Sequence, residues 1–442
     1  MIDKTKKRVS FYTLGCKLNF AETSTIIRKF TDNGYTKVEF DEISDIVVVN
    51  TCSVTQLADK KCRQIINKAT RISPDAIIAI IGCYSQLKPG EIAQIDGVDL
   101  ILGTKDKFNI IDFIEEIETR KDKNPIVSSC EIERVESFNS SFSLLDRTRS
   151  FLKIQDGCDY QCSYCTIPLA RGNSRNNSIE QSIEEAHKIA SAGIKEIVLT
   201  GVNIGDFGKS TSETFLGLIQ QLDKVEGIER YRISSIEPNL VTDEIIQFVA
   251  DSRSFMPHFH IPIQSGCNEI LKLMSRRYKR EIFENRVKTI KSMMPHACIG
   301  ADVIIGFPGE TDDMFSDTFN FLESMEISYL HVFSYSERRN TKAILMPGKV
   351  SPKDKDRRSK ALIELSNKKR DTFYSQNSGQ SFKVLFESSQ TKGKMVGYTT
   401  NYIKVETNYD IALVNKCINA KLIDLLPFGN MGIEITDKKL LS

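Results

Sequence analysis

Apolar positions in the first hundred residues follow two rhythms. VSFYTLGC, DIVVVNTC and AIIAIIGC are nearly unbroken apolar runs, while AETSTIIRKFTDNG and LADKKCRQIINKATR between them space their apolar residues as helices do. Continuous apolar strands alternating with amphipathic helices imply a parallel sheet with helices on its faces, whose ligands gather beyond the carboxyl ends of the strands. Cys16, Cys52 and Cys83 each stand at such an end, so one topology can bring three sulfurs to one edge. Three cysteines that are simply buried would give the same pattern. Cys62, inside the helix-like KKCRQII, is a bystander.

From about Glu118 to Thr148 the rhythm breaks into polar sequence, read as a link. FLKIQ, EIVLTGVNIG, YRISSIEP, FHIPIQSG, CIGADVIIGFPGET and YLHVFSYSERRNT then form a second series of strands ending in Gly, Ser, Pro, Glu or Gln. Helices separate them; IEQSIEEAHKIASAG has Ser178 as N-cap and Gly193 as its stop. Six strands with interleaved helices make an open (β/α)6 partial TIM barrel, with reactive groups at the strands' carboxyl ends. Ser351-Pro352 opens a basic helix reaching about Tyr374, and QSFKVLFESS, GKMVGYTTNYIKVE and INAKLIDLLPFG alternate as strands of a small barrel. The fold class is thus α/β: an amino-terminal parallel βα sandwich (7–119), the open barrel (144–375) and a carboxyl-terminal small all-β barrel (376–440).

Composition adds less. The 442 residues, 40% hydrophobic, suit two or three domains, and a net charge of +2 does not by itself indicate nucleic acid. Positive charge is nonetheless clustered in KTKKR, RRYKR, KDKDRRSK and NKKR, each read alone as a solvated face. The start lacks a signal-peptide core and no run would span a bilayer, so a reducing cytoplasm and no membrane are expected. In that setting clustered cysteines bind metal more often than they form disulfides.

Cys158, Cys162 and Cys165 supply the sharpest chemistry, a C-x3-C-x2-C run. Four-iron clusters usually take four cysteines, so a set of three leaves one iron open. A zinc knuckle or buried thiols are the blander alternatives. With Tyr164 before its last cysteine, the run resembles the radical S-adenosylmethionine superfamily, in which the open iron chelates the cofactor and the reduced cluster cleaves it to a 5′-deoxyadenosyl radical. TLGCKLNFAET, VNTCSVTQLADKK and IGCYSQ resemble the signature segments of the methylthiotransferase amino-terminal domain. That resemblance implies a second [4Fe–4S] cluster on Cys16, Cys52 and Cys83, which carries or supplies the transferred sulfur, with Asn19, Asn50 and Thr51 near it. It also implies cofactor contacts at Tyr164, at Gly201 in Thr200-Gly201-Val202, at Ser235, Glu237 and Gln264, and from Arg171, with Arg175 close by; turn capping is the alternative for Ser235, Glu237 and Gln264, and a surface salt bridge for the two arginines. Gly306, Pro308 and Gly309 shape the backbone.

The carboxyl-terminal barrel resembles a TRAM domain, implying RNA binding with Tyr398 and Tyr402 as base-stacking candidates, half-buried packing being the equal alternative for the two tyrosines. Where relatives read close to FPYSPRPGTPA this chain has FSYSERRNTKA, which lacks the loop's proline and glycine around Arg338. TLGCKLN, NTCSVTQLADKK and FLKIQDGC are similar to the branch acting on N6-threonylcarbamoyladenosine beside the anticodon of tRNA; Lys17 and Thr55 depart from the isopentenyladenosine branch. The resemblance therefore implies methylthiolation of adenine carbon 2 by two clusters and S-adenosylmethionine, with the tRNA anticodon stem-loop and an external electron donor as partners. Isopentenyladenosine, a ribosomal-protein aspartate, and a noncatalytic iron–sulfur or zinc RNA-binding protein are the alternatives. Cys130, Cys267, Cys298 and Cys417 show no ligating pattern, and His258 and His260 are read as structural.

Overall fold

A computed structural model describes residues 7–120, 124–132, 135–144 and 148–437. It divides into two compact units, the first made of residues 1–143, 151–177 and 336–341 and the second of the remainder. Most of KTKKR lies outside the described residues.

The first unit is built on a six-stranded, wholly parallel sheet. Its order is Thr36–Val38, Arg8–Thr13, Ile46–Thr51, Ile77–Gly82, Leu100–Leu102 and Ile126–Ser128. Alternate residues of one strand serve different cores: Val48 packs with Ile26, Phe30 and Ile114, while Val47 and Val49 pack with Ile66, Ala69 and Tyr84. Burial on both faces explains why these strands read as unbroken apolar runs. Helix Gln56–Ile72 begins at Thr55, whose hydroxyl accepts from the Ala58 amide. The edge strand Ile126–Ser128 lies inside the segment read as a link; three residues among polar neighbours carry too little periodicity to stand out.

In the second unit, Glu196–Thr200 pairs in parallel with Arg230–Ile233, and His258–His260, Cys298–Ile305 and Tyr329–Ser334 form a parallel set. Bridges Tyr231↔Phe255 and Ser235↔His260 join the two groups. Helix Ile179–Ser191 is capped by Ser178 and followed by Gly193 at φ 81°, as its sequence implies. Helix Pro352–Gln376 leads to a closed five-stranded barrel, Ser381–Thr391, Lys394–Thr399, Lys404–Asn408, Met431–Ile435 and Cys417–Leu425 in spatial order. Val384, Phe386, Met395, Val405, Ala420, Leu422 and Met431 fill its interior, with Phe373 and Tyr374 of the long helix against them.

Two surface readings change. Arg276 of RRYKR is an inner residue paired with Glu237, and Arg280 pairs with Asp317, so two of that cluster's four cations neutralise the unit's own carboxylates. Tyr398 and Tyr402 stack on each other at 4.9 Å, under Arg149 and Arg232 respectively. Their faces meet guanidinium groups within the unit, which removes them as free platforms for bases.

Candidate metal centres

Three adjacent strands of the first sheet deliver Cys16, Cys52 and Cys83 to the same edge. Cys16 caps helix Lys17–Asp32, Cys52 follows Ile46–Thr51, and Cys83 opens helix Cys83–Leu87 behind Ile77–Gly82. Glycines make the approach possible. A side chain on Gly15, at φ 109°, would lie 2.8 Å from Cβ and 3.2 Å from Sγ of Cys52, and one on Gly82 would lie 2.5 Å from Oδ1 of Asn50. Burial pushes the Cys52 thiol up to about 12, with neighbouring Cys83 and Cys16 adding to the shift. Cys62 is separate from the set, although its thiol donates to the Cys52 carbonyl at 3.2 Å.

Asn19 and Asn50 lock this edge. Asn19 Nδ2 donates to the carbonyls of Leu14 and Thr51, at 2.7 and 3.0 Å, and its Oδ1 lies 3.7 Å from Cys16 Sγ. Asn50 Nδ2 donates to Asn19 O and Thr23 Oγ1, while its buried Oδ1 has no hydrogen-bond partner. Thr51 Oγ1 donates to the Ile81 carbonyl at 2.6 Å.

The Cys158–Cys165 loop belongs to the same unit. Its base is closed by the Cys158 amide donating to Gly172 O at 2.9 Å, and Gly157 admits no side chain because Asn173 O would lie 2.0 Å away. The amides of Tyr160 and Ile167 donate to Sγ of Cys158 and Cys165, at 3.4 and 3.5 Å. Amides aimed at sulfur favour thiolate over thiol. Cys158, Cys162, Cys165 and Tyr164 are all half-buried. Three thiols at each of two places, with backbone donors or orphaned polar groups beside them, fit soft iron–sulfur ligation with one iron left open.

A chain of buried charges runs between the two segments. Arg171, which ends helix Ile167–Arg171 just past the cysteine loop, was expected to meet cofactor or substrate; it is 1% exposed and committed elsewhere. Its Nη1 donates to Glu22 Oε1 at 3.1 Å and Asp156 Oδ1 at 2.9 Å, and its Nη2 to Asn19 Oδ1 at 2.7 Å. Lys107 and Lys153 reach Glu22 at 2.6 and 3.0 Å, and Lys153 and Arg175 reach Asp156 at 2.8 and 3.2 Å. Burial raises both carboxyl groups, but the cations outweigh it and hold Glu22 and Asp156 well below the usual carboxylate range.

The departing loop also has a defined role. Arg338 is buried, its guanidinium donating to Ser53 O at 2.7 Å, Ser53 Oγ at 2.6 Å and Asp59 Oδ2 at 3.0 Å, directly after Cys52. Asn340 adopts φ 64°, a conformation that asparagine tolerates, so the turn forms here without a glycine.

The remaining expected contact residues lie in the second unit. Gly201 follows strand Glu196–Thr200 and Ser235 bridges to His260. Glu237 is pushed up by burial, against the pull of its partner Arg276. Gln264 holds φ 65°, pinned by its amide to Asp302 O at 2.9 Å and by the Ile304 amide to its own carbonyl at 2.8 Å. Sequence reading missed one constellation beside it: Asp302 Oδ1 accepts from His260 Nε2 at 2.9 Å and His331 Nδ1 at 3.2 Å, joining a histidine read as structural to one not singled out. No spacing signalled it, since the three residues sit on three different strands. Among the described residues no helix is long and apolar enough to cross a membrane.

Three cysteines on one short loop and a parallel β/α set are the features of a radical S-adenosylmethionine enzyme, and the comparisons agree. Residues 152–322 match the Radical SAM superfamily and residues 8–103 the Uncharacterized protein family UPF0004. The fold is shared with a radical S-adenosylmethionine methyltransferase, TsrM, of Kitasatospora setae, at TM-score 0.55 and 14% identity over 88% of this chain and 80% of that one. The chain is 40% identical to the threonylcarbamoyladenosine tRNA methylthiotransferase MtaB of Bacillus subtilis, over 94% of this chain and 93% of that protein. It is 38% identical to the protein of that name in Aquifex aeolicus, over 86% and 92%. Against a tRNA-2-methylthio-N(6)-dimethylallyladenosine synthase of Acetivibrio thermocellus it is 31% identical, over 94% and 88%. This chain belongs to the radical S-adenosylmethionine methylthiotransferase family, an enzyme family whose cofactors are [4Fe–4S] clusters and S-adenosylmethionine.

Proposed function

We propose that this enzyme places a methylthio group on carbon 2 of N6-threonylcarbamoyladenosine, next to the anticodon of tRNA, in the cytoplasm and with electrons from an external donor. The observation carrying this reading is the graded similarity: 40% and 38% identity to relatives named for the threonylcarbamoyl substrate, against 31% for one named for the dimethylallyl substrate. Lys17 and Thr55 agree with that branch.

In this reading Cys158, Cys162 and Cys165 hold one cluster and Cys16, Cys52 and Cys83 the other. When bound, the clusters and S-adenosylmethionine supply a 5′-deoxyadenosyl radical and the methylthio group. The chain's own residues position and shield. Tyr164 flanks the first centre, Gly201 lets the backbone come close, and Ser235, Glu237 and Gln264 offer polar groups to the cofactor. The division of labour follows residues 7–119 for the sulfur-bearing domain, 144–375 for the radical domain and 376–440 for RNA. Because Tyr398 and Tyr402 are engaged internally, the RNA-facing candidates move to the exposed Phe428 and the cationic flank of helix Pro352–Gln376, where Lys360 and Lys368 stand in solvent.

Nucleoside mass spectrometry of tRNA from a deletion strain tests the substrate. Loss of the methylthiolated threonylcarbamoyl nucleoside alone is the expected result; loss of the methylthiolated isopentenyl nucleoside instead overturns the branch.

A further inference from the structure

Among the described residues, the buried charges between the two cysteine segments do not balance. Lys107, Lys153, Arg171 and Arg175 are 1–8% exposed, and the carboxylates paired with them among those residues are Glu22 and Asp156. Four cations thus meet two anions. Buried charge is tolerated when it is paired, so an excess of two positive charges calls for further negative charge nearby. The π-faces of Phe108 and Phe138, 5.1–5.8 Å from the two ammonium groups, answer part of it. The network meets the cysteine edge through Asn19, whose Oδ1 accepts from Arg171 Nη2 at 2.7 Å and lies 3.7 Å from Cys16 Sγ, and Glu22 joins Lys107 to Arg171 behind it. A four-iron cluster on three thiolates is an anion, and gains a further negative charge on reduction.

We infer that Lys107 and Arg171, held by Glu22, are the counter-charge of the cluster on Cys16, Cys52 and Cys83 and set its reduction potential. The inference rests on the two-centre reading above. Positive charge favours the reduced state, so these groups hold the potential less negative than the thiolate set alone would. Lys107 is a positioning residue, outside every motif and making no contact with a cysteine. Its ammonium, pushed down by burial and supported by Glu22, stays charged most easily when an anion lies beyond it.

The test uses the full chain, reconstituted without oxygen, with iron and sulfide analysis and a redox titration followed by electron paramagnetic resonance. The wave absent from Cys52→Ala identifies the auxiliary centre. In Lys107→Met, with iron content unchanged, that wave should move to more negative potential and shift further than the other; Lys107→Arg should restore it. An unmoved wave in fully loaded Lys107→Met overturns the inference. So does equal loss of iron and thermal stability in both Lys107→Met and Lys107→Arg, which marks a packing role. If the wild-type chain itself binds only one cluster, the two-centre reading falls first, before any variant is compared.

Discussion

Replacing Glu22 with glutamine probes the energetics of the buried network, because the side chain keeps its shape while losing its charge and one of its two acceptor oxygens. Glu22 is fully buried and takes Lys107, Lys153 and Arg171 at 2.6–3.1 Å. Without it, the four buried cations would keep Asp156 as their one carboxylate among the described residues. Removing one partner of a buried pair costs about 3–5 kcal/mol. Set against a total stability of ~5–15 kcal/mol, that is a large fraction. At about 2–4 °C per kcal/mol, the melting temperature should fall by on the order of 10 °C. Urea titration of the apoprotein at neutral pH reads the difference directly, and Asp41→Asn provides the control. Its ion pair with Lys68 is 76% and 44% exposed, and breaking it should cost about 0–1 kcal/mol. The excess of cations adds an asymmetry: Lys107→Met should destabilise less than Glu22→Gln. The pH dependence follows from the depressed carboxyl groups. Their contribution is complete above the unfolded carboxylate pKa, roughly 4, and is lost as pH falls below that toward the folded values. The gap between wild type and Glu22→Gln should therefore narrow in acid. A cost under about 1 kcal/mol at neutral pH, or a gap that widens on acidification, would refute the argument.

Gly15→Ala forces a methyl group against Cys52 at a backbone angle that costs alanine about 1–2 kcal/mol, so reconstituted protein should hold about four irons rather than about eight, by iron analysis. Arg338→Met removes the donor to the Ser53 carbonyl and leaves Asp59 with the Ser53 hydroxyl and, as its remaining ion-pair partner among the described residues, Lys88; a loss of about 3 kcal/mol in urea titration and selective loss of the auxiliary cluster are expected. Cys162→Ala should abolish 5′-deoxyadenosine release, whereas Cys52→Ala should keep release and lose thiolation; equal loss of both would count against two separate centres.

Much of this was legible along the chain. An apolar run buried on both faces has a period that sequence displays, so the sheet strands and the edge holding Cys16, Cys52 and Cys83 followed from pattern and topology. Cys158, Cys162 and Cys165 were visible because their loop is local. What only the tertiary structure decided are pairings across great separations: Arg171 with Glu22, 149 positions apart, and Arg338 with Asp59, 279 apart. Nothing in IPLARG or SERRNT tells whether an arginine faces water, a cofactor or a buried carboxylate. A charge's partner depends on which distant segment folds against it, and periodicity carries no record of that. The same reason turned Arg276 of RRYKR from part of a surface patch into half of an internal ion pair, put Tyr398 and Tyr402 under arginines, and drew His260, Asp302 and His331 together from three strands.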